Sequence, residues 1–249
     1  METTRATLLP RQDRAKPALG VNALSNRVVA GGHAADGQPS AALFFWSHTR
    51  FLSDFTFGLH PHEGFEIISF ILEGRTRHFD TKTDRWLDLR GGDAQIIRSG
   101  SGLWHREGAT KGARVFQMWF DPGFDTALRI EPSYTDHPAA QFTARPSGDV
   151  LVTDQVGGDG PIRALTEGLS IRRVALVQGA RAQLDVGAHR FTLVYVLDGE
   201  ATVNGTRATT DDTVSLGGAS AMTVKAADSA DLFLVSLPGQ PAYQPVRGR

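Results

Sequence analysis

The chain of 249 residues contains no cysteine. That excludes disulfides, thiolate nucleophiles, cysteine-ligated zinc fingers and iron–sulfur clusters, so any metal must be held by His, Asp, Glu or water. An excess of charge of either sign is also missing: the formal net charge is −1, and Lys and Arg form no polybasic cluster. Direct binding to a nucleic-acid backbone is therefore not expected. Long apolar runs are absent too. The two longest, Ala41 to Trp46 and Phe65 to Leu72, fall well short of a bilayer span, so no membrane association is expected. Leu8-Leu9 runs straight into Pro10, and residues 1–20 carry Arg5, Arg11, Arg14 and Lys16 without an apolar core of signal-peptide length. The default expectation is a cytoplasmic protein.

What is present is strand-like almost throughout. Short β-branched or aromatic runs recur at 65–72, 95–98, 115–120, 171–177, 191–197, 200–203, 221–224 and 232–236. Glu73-Gly74, Gly91-Gly92-Asp93, Asp198-Gly199 and Asn204-Gly205 read as the turns between them. Asn-Gly is the strongest of these, because a two-residue hairpin needs positive φ at both central positions. No sustained helical period appears, and short helices fit only within 122–168, a connector rich in Pro and Gly. Phe65 to Gly74 lines up with Arg190 to Gly199, most clearly at Leu72-Glu73-Gly74 against Leu197-Asp198-Gly199, which fits a duplicated barrel. The expected organisation is a mobile N-terminal arm (1–18), a metal-binding domain (19–140) and a degenerate second domain (141–249). The second half has only His189 near the corresponding place, so it is expected to hold no metal.

The chemistry concentrates at His60-Pro61-His62. Side chains alternate in a strand, so His60 and His62 share a face. His105-Arg106-Glu107 repeats that i, i+2 arrangement. A lone His-x-His is more often a surface pair than a ligand set; two such pairs, each near glycines, point to a four-ligand cage of three imidazoles and one carboxylate. Fe(II), Mn, Co, Ni, Cu or Zn suit it, whereas Ca²⁺ does not.

The stretches HPHEGFEIISFILEG (60–74) and GGDAQIIRSGSGLWHRE (91–107), with Phe116 to Phe120 and Asp121-Pro122 after them, closely resemble the pirin family of cupins. The resemblance implies an all-β double-barrel cupin (bicupin). It carries the family's ligands onto His60, His62, His105 and Glu107, with Fe(II) taken first among the divalent metals. It implies a quercetin 2,3-dioxygenase-like enzyme acting on a flavonol-like aromatic and O₂, with Glu107 as the general base for the flavonol 3-hydroxyl. It also allows a non-enzymatic, metal-loaded regulator that docks on a protein partner. Glu63 stands where the family commonly has Arg, which would disfavour an anionic flavonolate if it faced the pocket.

Around these residues several expectations follow from strand parity. Glu66 should point inward with His62, either orienting an imidazole or forming an ion pair. Ile68 and Phe70 share that parity and are expected to form the substrate wall, with Met118 near them. Phe116, Met118 and Phe120 should be core. Phe65 and Trp104 should be outer-wall or inter-sheet core residues. His78 is expected at the surface, as are His33, His48, His137 and His189.

Overall fold

The structure is a computed structural model that describes residues 5–19, 21–34, 37, 40–188, 190–218 and 220–246. It is a nearly all-β, double-barrel fold, with a single short α-helix, Phe124–Ala127, and two 3₁₀ turns among the described residues. None of the described helices is long and apolar enough to cross a membrane.

The chain divides into two compact units, one of residues 14–141 with 243–249, the other of residues 1–13 with 142–242. The first unit contains two antiparallel sheets. The larger runs in the order Ser133–His137, Ala94–Arg98, Glu66–Glu73, Arg114–Phe120, Leu43–Phe51, Ala23–Ala30, Ala15–Ala18. The smaller runs Trp86–Arg90, Arg75–Asp80, Leu103–Ala109, Phe55–Thr56, with the short strand His60–His62 also paired to Leu103–Ala109. Period-two burial splits the larger sheet into two chemically distinct faces. Ile68, Phe70, Phe116, Met118 and Phe120 lie on one face and are almost wholly buried, as expected of a core. Ser69, Ile71, Gln95, Gln117 and Trp119 lie on the other and line a cavity.

The second unit is a nine-stranded antiparallel sheet wrapped around an apolar interior of Val174, Leu184, Val194, Val203, Leu216, Val224 and Leu234 among others. Its centre is filled by aliphatic side chains, so it is a packed core. His189 lies outside the described residues.

Three expectations are corrected here. Arg5–Leu9, within the segment read as a mobile arm, is an edge strand paired with Thr213–Gly217, and Ala15–Ala18 pairs with Ala23–Ala30. An unpaired edge would leave a row of N–H and C=O groups without partners, and the N-terminal segment supplies them. Asp198-Gly199 is not a turn: Arg190–Val203 is one continuous strand, and register shifts flank this dipeptide as it faces Asp231 and Ala230. The Pro- and Gly-rich connector contains the strands Ser133–His137, Arg145–Ser147 and Val150–Val156. Asn204-Gly205 does form the two-residue hairpin, with φ of 45° and 83° and Val203 opposite Thr206.

Candidate metal centre

The site grows from the strand Leu103–Ala109. His105 faces His60 across one neighbour and Asp80 across the other, while Glu107 faces His78. Because His60, His78, Asp80, His105 and Glu107 all project to the same side, one face of the small sheet carries three imidazoles and two carboxylates. His62 joins them from the far end of the short strand. Pro61 between the two ligand candidates turns outward, and it sits in a position where the missing N–H costs no inner ladder bond.

The ring centroids of His60 and His105 are 4.4 Å apart, those of His62 and His105 4.7 Å, and those of His60 and His62 5.1 Å. One nitrogen from each of these three residues lies within 4.8 Å of the other two. His78, His105 and Glu107 form a second such set, also within 4.8 Å. The four residues singled out from the sequence therefore come together through His105, with Glu107 on the His78 side of it.

Their surroundings fit a metal. His60 Nδ1 lies 2.8 Å from the carbonyl of Gly58, which fixes the tautomer with hydrogen on Nδ1 and leaves the Nε2 lone pair free. His105 is 1% exposed, yet neither of its ring nitrogens has a hydrogen-bond partner among the described residues. A buried polar atom without a partner is costly unless something else satisfies it. His62 and His105 are both held far below the usual imidazole range, at about 3, first by burial and then by the neighbouring histidines. For His62 the Glu107 charge works in the opposite direction, and for His105 the Asp80 charge does. Both rings are thus neutral at pH 7, the form that binds a metal.

Glu107 is held by two side-chain amides. Gln117 Nε2 donates to its Oε2 at 2.9 Å and to its Oε1 at 3.2 Å, and Gln95 Nε2 donates to Oε1 at 3.2 Å. Each amide has a second contact. Trp119 Nε1 donates to Gln117 Oε1 at 3.1 Å, which decides how that amide points. The Tyr134 hydroxyl lies 2.9 Å from Gln95 Oε1 and 2.5 Å from Asp136 Oδ1, and its single proton serves one of them at a time. On the far side, His78 Nε2 meets Asp80 Oδ2 at 2.8 Å, and its ring stacks on Tyr134 at 4.4 Å. Burial opposes ionisation of Asp80. The N–H of Thr83, His78 and the N–H of Lys82 outweigh it and hold the carboxyl below its ordinary range. Burial, with help from Asp136, pushes the Tyr134 phenol well above its ordinary range, so it remains a hydrogen-bond donor.

A cavity of about 250 Å³ opens beside this cluster. His60, His78 and Glu107 line it, and Phe45, Phe51, Ile71, Val115 and Trp119 give it an apolar wall.

Several expectations change. His78 is 1% exposed rather than on the surface, because Thr76, His78 and Asp80 alternate toward the interior. His48 and His137 are buried as well, His48 with its ring edge-on to Phe116 and His137 with Nδ1 2.9 Å from Gln141 Oε1. His33 is exposed, as expected. Ile68, Phe70 and Met118 do not form the wall. The chain leaves the short strand at Gly64, whose φ is 74°, and enters a different sheet at Glu66, so parity counted from His62 does not carry across. For the same reason Glu66 lies on the face away from the cavity, wholly buried and ion-paired with Arg98 at 3.3 Å. Glu63 is exposed and does not line the cavity; Arg27 does. Phe65 packs against Phe44 and Phe124, whereas Trp104 is half exposed. Sequence reasoning missed Gln95 and Gln117. The available signal was a lone amide in each of two strands that are otherwise apolar except for one terminal arginine.

A family model for pirin matches residues 39–120. A pirin-like protein of Caulobacter vibrioides is 30% identical over 197 residues, covering 75% of this chain and 70% of its own. A quercetin 2,3-dioxygenase of Escherichia coli strain K12 is 28% identical over 185 residues, covering 73% and 76%. Among solved structures, the bacterial pirin YhhW from Escherichia coli, in complex with nickel(II), superimposes with a TM-score of 0.77 at 21% identity, covering 94% of this chain and 99% of that one.

Proposed function

Since this chain belongs to the pirin family, we propose that it is a metal-dependent dioxygenase of flat, flavonol-like aromatics, with quercetin the first substrate to test. The observation that carries the reading is a carboxylate held by two side-chain amides beside three clustered imidazoles, next to a cavity with an apolar wall. His60, His62 and His105 would hold one divalent metal with Glu107 beside them, and Fe(II) is the first candidate. When bound, the metal supplies Lewis acidity toward the substrate hydroxyl.

The remaining work falls to the chain's own groups. Glu107 takes the hydroxyl proton. Its Oε2 accepts one amide bond against two on Oε1, so Oε2 is the oxygen with room for that proton. Gln117 and Gln95 keep the carboxylate aimed while its charge changes. Phe45, Val115 and Trp119 offer flat or branched apolar surface to an aromatic ring and keep water from the reacting edge. At about 250 Å³ the cavity lies just below the usual range of ligand pockets. It therefore suits a compact aglycone and not a glycosylated flavonol. Arg27 at the lining, with Glu63 turned away, leaves the electrostatics open to an anionic substrate.

The test is anaerobic loading with Fe(II), followed by oxygen uptake and loss of the flavonol absorption band with quercetin. Turnover is expected in the wild type and none in His62→Ala. Tight metal binding without turnover of any flavonol would sink the dioxygenase reading and favour the regulator.

A further inference from the structure

We infer that the cluster beside the cavity contains a second cation seat, formed by His78, His105 and Glu107, alongside the one formed by His60, His62 and His105. Their ligand atoms lie within the same 4.8 Å as those of the first set. Metal bonds of about 2.0–2.2 Å to N and O place ligands about 3–4 Å apart, so small side-chain rotations would close the set on an ion. His78 is prepared for this role. Asp80 fixes its Nε2 at 2.8 Å, and the stacked Tyr134 ring fixes its plane. Its Nδ1 is buried with no hydrogen-bond partner among the described residues, and so are both nitrogens of His105. A carboxylate behind one ring nitrogen, with the other nitrogen unpartnered, is the arrangement that supports a metal-binding histidine. The third group, Glu107, brings the negative charge.

The two seats share His105. A neutral imidazole has one lone pair, so His105 serves one ion at a time, and the seats are alternatives for a single metal. His78 is thus a ligand in reserve, on the side where Glu107 lies.

The inference concerns the same cavity as the proposed function but needs no turnover, and the experiment reads binding alone. Zinc per chain and its affinity are measured by equilibrium dialysis on the full-length apoprotein. The variants are His60→Ala/His62→Ala, and the same double variant with His78→Phe or His78→Gln added. His78→Phe keeps the stack on Tyr134, His78→Gln keeps a donor for Asp80, and circular dichroism confirms folding of each. The wild type is expected to bind one zinc. The double variant is expected to bind one zinc more weakly, and either His78 change to weaken that residual binding at least about tenfold. The inference is overturned by no zinc in the double variant, by residual binding that ignores both His78 changes, or by two zinc ions in the wild type. Wild-type affinity no tighter than that of the double variant would sink the His60–His62–His105 reading while supporting this one.

Discussion

Glu107 illustrates how a residue's role is set by what it touches. As a bare surface carboxylate it would be a mobile acceptor. Between Gln95 and Gln117 it is pinned, and the Trp119 indole N–H pins Gln117 in turn. Replacing Gln117 by Leu removes both of its bonds to Glu107 and leaves the Trp119 indole N–H without its acceptor. Turnover is expected to drop about 10–100-fold, the usual cost of losing a group that orients a metal-site residue, and the unpaired indole N–H is expected to lower stability by about 1–3 kcal/mol. Steady-state kinetics beside urea melts would check this, and unchanged turnover would contradict it. The shared facing of His60 with His62 and of His105 with Glu107 was legible because i, i+2 spacing reports directly on which way strand side chains point. The glutamines were not, since a single amide in an apolar run looks the same whether it faces a cavity or water.

At the scale of elements, parity is a local rule. It holds from His105 to Glu107 within one strand and fails from His62 to Ile68, where the left-handed Gly64 redirects the chain into another sheet. Turn chemistry was similarly half legible. Asn204-Gly205 is a hairpin, but Asp198-Gly199 gives the same sequence signal and is an irregularity within one long strand. The aligned pair Gly74 and Gly199 does share a physical cause. Both have positive φ, of 78° and 81°, and both have backbone pressed against them. A Cβ would sit 2.7 Å from Ala113 Cα at the first and 2.1 Å from Ser229 O at the second. Gly199→Ala is therefore expected to destabilise the protein by about 1–3 kcal/mol, more than Gly205→Ala, where a Cβ would meet nothing within 4 Å. Chemical denaturation of the two variants side by side tests the order.

For the whole molecule, the neutral imidazoles couple stability to pH. The unfolded chain's histidines take up protons near 6.5, whereas His62 and His105 resist protonation in the fold until about 3. Between those values the unfolded state binds more protons, so stability of the apoprotein is full above about pH 6.5 and declines as pH falls toward about 3. Thermal melts of metal-free protein across that window should show the decline, and His62→Phe should flatten part of it. Excess zinc should raise the melting temperature at neutral pH by mass action. Strand count, turn spacing and the internal repeat fit a β-sandwich or a duplicated barrel, and the pirin resemblance makes it a double barrel. The pairing of Arg5–Leu9 with Thr213–Gly217 was not legible, because a partner so distant in sequence leaves no local pattern.

Trp119 stands with its indole edge-on to His62 at 4.8 Å while its N–H is committed to Gln117. An indole so near the proposed ion site is an intrinsic optical probe. A paramagnetic ion such as Fe(II) or Co(II) seated on His62 should quench its emission, and zinc should alter it far less. The wild-type signal, compared with that of Trp119→Phe, would then follow loading in real time without an added dye.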